Sequence, residues 1–200
     1  DLLEVISALQ KDIRRGNEEQ AYYWALELIP RYEAYLWRRL LVICNEDIGI
    51  ANPQVIVQVA ELRRQFFLFR EEGKDGTCRL ILANAILLMA RSPKTRIADH
   101  FQRAVTQQWV EDFQNEDMRE IPDYALDCHT RRGKNKGRGK QHWLEIGCQL
   151  ANEAEIDDPY KETAIEHWVA GREDAPSWGK RRRGKRNGKG KSRAAQPKLL

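Results

Sequence analysis

Apolar positions recur every three to four residues from the start of the chain, the period of an amphipathic helix. LLEVISALQKDIRR, residues 2–15, closes on Gly16, a residue suited to the left-handed turn after a helix. Asn17 then stands at a helix start before EEQAYYWALELI, with Gln20 at the capping-box position. Pro30 predicts the end of that helix. YEAYLWRRLLVICN follows, with Leu36, Leu40 and Ile43 on one stripe and Trp37, Leu41 and Cys44 on the next. Two adjacent stripes predict broad burial. Asn52 caps the next helix, with Pro53 at its first position, and Gly73 stops it after Glu72. In LILANAILLMA, residues 80–90, only Asn84 is polar, which places this helix at the centre of the core. Ser92 and Pro93 predict another helix start, and Phe101, Val105, Trp109 and Phe113 recur every four residues behind it.

The pattern weakens after Gln114. Pro122 precedes DYALD, one short helical turn, and HTRRGKNKGRGK reads as a basic, glycine-containing loop. QHWLEIGCQL and PYKETAIEHWVAG read as two more helices. From Arg172 the composition turns Gly/Lys/Arg-rich and predicts disorder. The one strand-like run, QVIVQVA, follows a cap-and-proline start and continues into a helical pattern. The expected fold is all-α, about seven or eight helices with no fixed-period repeat. The expected organisation is a helical core over 1–114 and an irregular segment over 115–140. C-terminal helices packed on the core follow over 141–171, then a disordered tail over 172–200.

Two hundred residues hold one domain with appendages or two small domains. With 42% hydrophobic and 32% charged residues, the chain suits a globular core. The apolar run at 80–90 is too short to cross a bilayer. No charged-then-apolar leader is legible, and the start at Asp1 rather than Met leaves room for an upstream segment. Cys44, Cys78, Cys128 and Cys148 are widely spread, form no CxxC, and predict reduced thiols in a cytoplasmic setting. Cys44 and Cys78 sit in apolar helical patterns as buried thiols. The net charge of +4 is unevenly placed: residues 171–200 hold eleven Lys/Arg against two Asp/Glu, and the rest is mildly acidic.

Glu46-Asp47 invites an acid/base reading, because two carboxylates follow a buried helix. Seven acidic doublets occur in the chain, however, so a doublet alone carries little. The position between two buried helices favours a structural corner, with an arginine (Arg14, Arg15, Arg38 or Arg39) or the following turn's amides as partner. GKDGTCR and GREDAPSWGK lack the spacing of a nucleotide-binding loop, and no metalloprotease, EF-hand or nucleophile-elbow motif is present. No catalytic residue, metal or cofactor is therefore assigned. Cys128, His129, His142 and Cys148 are zinc-ligand types, but their spacing matches no finger, and ordinary packing is preferred.

The basic segments carry the better signal. Arg131, Arg132, Lys134, Lys136, Arg138 and Lys140 fall within ten residues. In KRRRGKRNGKGKSR, residues 180–193, Lys180, Arg181, Arg182, Arg183, Lys185, Arg186, Lys189, Lys191 and Arg193 make nine basic residues in fourteen. Such a composition follows a polyanion backbone without a fixed shape. Trp143 beside the first segment could stack on an unpaired base, although a core tryptophan is commoner.

IRRGNEEQAYYW, RRLLVICNEDIGIANPQ and ARSPKTRIAD, in that order, resemble the C-terminal region of the MgsA/RarA family. These are clamp-loader-like AAA+ ATPases of replication-fork maintenance, related to the eukaryotic Werner-helicase-interacting protein. The likeness covers roughly residues 9 to 105, and NEDIGIANP is its most specific piece. Asn45 stands where the family usually has Ser, and Thr95-Arg96 where it has Ser-Asn. The family's ATPase module finds no counterpart in this chain, and the Lys/Arg tail matches no family feature. The resemblance implies a compact α-helical collar-type domain that oligomerises, as a dimer or tetramer, beside an ATPase that engages DNA. It marks Arg15, Gly16, Glu46, Asp47, Gly49, Pro53, Pro93 and Lys94 as structural motif positions. The expected function is a non-enzymatic, oligomerising, DNA-associated, nucleoid-located role in replication or repair. The alternative is an adaptor that docks to a separate AAA+ ATPase, a replication protein or an acidic partner without touching DNA.

Overall fold

The computed structural model describes residues 1–170, and helix is the regular secondary structure among them. The described chain divides into a unit over Asp1–Arg119 and a second unit starting at Glu120. The first holds five helices: α1 (Leu2–Arg15), α2 (Glu18–Ile43), α3 (Pro53–Glu71), α4 (Asp75–Arg91) and α5 (Ile97–Gln114). α1 packs along α2, and α3 along α4, as two antiparallel pairs, while α4 also touches α1 and α2. Leu9, Ile13, Leu36, Trp37, Leu40, Ile43, Val59, Phe66, Leu82, Ile86 and Met89 are fully buried between them. Trp37 meets Phe66 at 5.2 Å between ring centroids, so α2 and α3 are locked by aromatic contact.

α1 ends as its sequence requires. Gly16 takes φ 77°, and Asn17 N–H reaches Asp12 O at 2.8 Å in the Schellman pattern. The Asn17 side chain does not cap α2. Its amide donates instead to Asp12 Oδ1 at 3.0 Å, and Trp24 Nε1 takes the other Asp12 oxygen at 3.0 Å. The capping-box expectation is corrected by that competition. Pro30 also does not end the helix. It lacks the N–H that would bond the preceding turn, and the chain kinks at Tyr32 (φ −129°) before continuing. Leu28 before the kink and Leu36 after it are both buried in one core, which holds the two halves together.

Beyond Ile43 the helix widens into a π turn, Cys44–Ile48, then tightens into a 3₁₀ turn, Gly49–Ala51. Gly49 sits at φ 48°, ψ −128°, a region essentially closed to side-chain-bearing residues. Asn52 and Pro53 start α3, although the Asn52 side chain makes no cap bond and the proline's fixed φ alone favours the start. α4 buries Cys78, Ile81, Leu82, Ala85, Ile86, Met89 and Ala90, as its apolar run predicts, but leaves Leu80 62% exposed.

Ser92 and Pro93 do not begin α5, which starts at Ile97. One tertiary bond and a local cap hold the linker extended: Thr95 N–H donates to Asp47 O at 2.9 Å, and Lys94 Nζ caps Ala90 O and Ser92 O at 2.8 Å each. Thr95 Oγ1 then accepts from Ile97 N–H at 3.2 Å. α5 itself buries no side chain.

In the second unit a 3₁₀ turn, Asp123–Ala125, precedes α6 (Arg131–Asn135), α7 (Lys140–His142) and α8 (Lys161–Val169). The basic loop thus contains one helical turn, capped by Thr130 Oγ1 accepting from Gly133 N–H at 3.0 Å. Gly133 passes so close to Asp127 that a Cβ there would lie 1.9 Å from its carbonyl oxygen. The helix expected from QHWLEIGCQL is shorter: α7 runs into a π turn, Trp143–Gly147, and stops before Cys148. The tail expected to be disordered, 172–200, lies outside the described residues.

Candidate functional site

The corner at Glu46-Asp47 is built by three segments. The π turn swings Asp47 inward, where it is 1% exposed. α1 supplies Arg14 and Gln10, one helical turn apart on the same face. Arg14 Nε donates to Asp47 Oδ1 at 2.8 Å, and Arg14 Nη2 to Asp47 Oδ2 at 3.2 Å, a two-pronged pair. Gln10 Nε2 adds a third bond to Oδ2 at 3.1 Å, and Arg39 Nη2 holds the Gln10 carbonyl at 2.7 Å. The linker before α5 supplies Arg96, which pairs with Glu46 at 3.4 Å and with Asp99. Arg14 Nη2 also reaches Glu46 at 3.4 Å.

Of the four arginines named as partners, Arg14 alone binds the corner; Arg15 and Arg38 are exposed, and Arg39 acts through Gln10. Gln10 and Arg96 were not legible as corner residues. Gln10's spacing of four from Arg14 was the available signal, whereas Arg96 comes from across the fold. Burial pushes the Lys94 ammonium below its ordinary pKa, with Asp47 pulling the other way. Gly16 lies beside the end of α4, where an added Cβ would meet Ala90 O at 3.5 Å.

Both carboxylates are engaged by guanidinium groups, and that of Asp47 also by the Gln10 amide. Glu46 borders a groove of about 580 Å³ with Leu41, Val42, Ala98 and Asp99, and Asp47 does not reach it. The arrangement clasps α1, the end of α2 and the linker to α5 together. The second carboxylate on that groove is Asp99, and Arg96 ties both it and Glu46 into ion pairs.

The basic segment of the second unit is divided by its own fold. Lys136 Nζ bonds Asp123 Oδ1 at 2.8 Å, and Arg138 bonds Asp123 Oδ2 together with the Asp123 and Leu126 carbonyls at 2.7 Å. Those two cations hold the Asp123 carboxyl at about 2, below its ordinary 3.8. Lys140 Nζ lies 5.6 Å from the Trp143 ring centroid. Arg131, Arg132 and Lys134 remain exposed on α6, with no salt bridge among the described residues. Trp143 packs edge-on against Trp168 at 5.1 Å and His129 at 5.6 Å. Lys180 to Arg193 lie outside the described residues.

Three of the four zinc-type residues are engaged locally. His129 Nδ1 pairs with Asp127 Oδ2 at 3.0 Å, Cys128 Sγ lies 3.6 Å from the same ring, and Cys148 Sγ donates to Leu144 O at 3.2 Å. His142 Nδ1 is buried without a partner among the described residues. No metal-binding cluster of three His, Cys, Asp or Glu side chains forms among the described residues. No described helix is long and apolar enough to cross a membrane.

Comparison with known proteins identifies the architecture. The family model described as MgsA AAA+ ATPase C terminal matches residues 16–155. Replication-associated recombination protein A of Bacillus subtilis is 30% identical over 137 residues, which are 68% of this chain and 31% of that protein. Its Escherichia coli K12 namesake is 32% identical over 136 residues, 66% of this chain and 27% of that protein. ATPase WRNIP1 of Dictyostelium discoideum is 24% identical over 142 residues, 70% of this chain and 15% of that protein. The chain spans less than a third of the length of these relatives. The match falls on the C-terminal domain of an AAA+ ATPase family and not on its ATPase module. With the family match covering more than half of its residues, the chain belongs to the MgsA AAA+ ATPase C-terminal family.

Proposed function

We propose that this domain is a non-enzymatic assembly module of DNA replication or repair. It self-associates through its first unit and associates with DNA through cations of its second unit and tail. The link to replication and repair rests on family membership and on relatives named for replication-associated recombination. An AAA+ ATPase is the natural partner, because the matched region is the C-terminal part of such enzymes.

The observation that carries self-association is α5. Most of the stability of a helix in a protein comes from packing its apolar face rather than from propensity. α5 buries no side chain, yet Phe101, Val105, Trp109 and Phe113 are 66%, 45%, 53% and 63% exposed. An amphipathic helix with an uncovered aromatic stripe supports an assembly in which a second copy covers it. For DNA, Arg131, Arg132 and Lys134 are the exposed cations of α6, and residues 180–193 add nine more in sequence.

The test is solution mass by light scattering. The unaltered chain is expected to run as a dimer or tetramer. Trp109→Asp places a charge in the stripe of a helix outside the core and is expected to give a folded monomer. A monomeric unaltered chain, or an oligomer indifferent to Trp109→Asp, overturns self-association through α5.

A further inference from the structure

The exposed stripe of α5 has an internal symmetry. Ile97, Phe101, Val105, Trp109 and Phe113 stand at equal intervals of four, and Val105 is the middle member and the smallest side chain. Turning the helix end for end about Val105 sets each Phe101 at the height of the partner's Trp109. It also sets each Ile97 at the height of the partner's Phe113. Two antiparallel α5 helices on a two-fold axis at Val105 have that relation. The side chain that meets its own image is then a valine, which permits close approach.

Beside Trp109 the structure holds a matching hole. α5 ends in a Schellman turn, in which Glu116 takes φ 55° and Asp117 N–H donates to Asp112 O at 2.9 Å. The chain reverses there and brings Met118 and Arg119 back against the helix. Val105, Trp109, Asp112, Met118 and Arg119 line a cavity of about 170 Å³. An apolar cavity of about 150 Å³ accepts benzene, so this hole admits one phenyl ring. Its charged walls are engaged within the unit: Asp112 takes the Gln108 amide at 2.7 Å and lies 3.7 Å from Arg119. An apolar knob therefore leaves no charge of the hole unanswered.

Helix geometry names the knob. Val105, Trp109 and Asp112 stand at i, i+4 and i+7, the outline of a hole in knobs-into-holes packing. With the axis at Val105, the partner's Phe101 arrives about 6 Å along the helix, level with Trp109. Four residues overshoot a full turn by about 40°, so Phe101 and Trp109 lean to opposite sides of Val105. The partner's ring thus falls beside Trp109 and over the hole. A parallel pair would instead bring a second, larger tryptophan to a hole that Trp109 already walls. Phe101, Trp109 and Phe113, with smaller contributions from Ile97, Val105 and Met118, offer about 1,000 Å² over two copies, the threshold of a specific interface. We infer that two copies of this chain pair through antiparallel α5 helices, each Phe101 seated in the hole of Val105, Trp109 and Met118 in the other. The pairing rests on the proposed self-association through α5 and adds its direction, its axis and its lock.

Two variants of the full chain test it, both at exposed side chains and both checked for fold by circular dichroism. Phe101→Ala removes the knob and keeps the hole, whereas Met118→Trp fills the hole and keeps the knob. One seated ring is worth about tenfold in affinity, so either variant, losing two seats, should self-associate roughly a hundredfold more weakly in a light-scattering dilution series. Mixed, the two variants should form a heterodimer in native mass spectrometry, because the filled hole of one faces the missing knob of the other. The inference is overturned if Phe101→Ala self-associates as tightly as the unaltered chain, or if the mixed variants fail to pair. Either result beside a monomeric Trp109→Asp removes this pairing and leaves self-association through α5 standing. A monomeric unaltered chain removes both.

Discussion

Asp47 and Glu46 are neighbours with different energetic standing. Asp47 is buried and takes three side-chain hydrogen bonds, whereas Glu46 is partly exposed and paired at 3.4 Å. Removing one partner of a buried pair leaves the other charge uncompensated, which costs about 3 kcal/mol or more. Arg14 keeps some contact with water, so Asp47→Ala belongs near about 3 kcal/mol rather than above it. Glu46→Ala, at a half-open pair, should cost less than about 1 kcal/mol. Urea denaturation of both variants measures the difference, and equal losses would mean that Asp47 is not the clasp. Asp123 gives a second residue-scale expectation. Its folded pKa is depressed, so its pairing with Lys136 and Arg138 is present above pH 3.8 and is lost as pH falls through about 2. Carboxyl NMR titration should find a midpoint near 2, and Arg138→Gln should return it toward 3.8. An unchanged midpoint in that variant would remove Arg138 from the explanation. Cys44, by contrast, is driven up to about 12 by burial, the state of a packed thiol rather than a nucleophile.

At the scale of elements, the turn between α2 and α3 is the informative joint. Gly49 lies at positive φ, and no atom would come within 4 Å of an added Cβ. Gly49→Ala therefore isolates backbone strain, expected to be about 1 to 3 kcal/mol. Calorimetry reads this as a lowered Tm with the helical spectrum retained, and a neutral effect would show that the backbone can relax. α5 is the other informative element, because its pattern was legible while its setting was not. A stripe at intervals of four identifies a helix with an apolar face, whether that face is core or subunit interface. The linker held by Asp47 and Lys94 carries the helix out of its own unit's core. The same linker explains the late start of α5, since Thr95 N–H is drawn onto Asp47 O and the chain before it stays extended.

For the whole molecule, the distribution of charge matters more than its sum. Residues 180–193 hold nine cations, and α6 exposes three more. If six to ten of them meet phosphates, affinity for DNA should fall by about 10³ to 10⁵ between 50 and 200 mM salt. Fluorescence anisotropy with labelled DNA measures this. Deleting residues 180–200 should flatten most of the salt slope and leave the solution mass unchanged. Binding that persists with the same slope would place the DNA contact elsewhere.

The sequence by itself determined the helical class, the core stripes of α1 to α4, the Gly16 stop and the crowding of basic residues. These are local matters: period, glycine and proline chemistry, and charge density act within a few residues of each other. NEDIGIANPQ was legible as a corner and as a family mark, and its need for a partner, an arginine or the amides of the following turn, followed from burial beside a helix end. Tertiary structure decided which arginine answers, how Gln10 is turned by Arg39, and that Arg96 arrives from a linker fifty residues away. It also decided that Lys136 and Arg138 serve the fold of the basic segment while Arg131, Arg132 and Lys134 face solvent. The physical reason is the same in each case. Hydrogen bonds and ion pairs join groups by proximity in space, which the periodicity of a single helix does not encode.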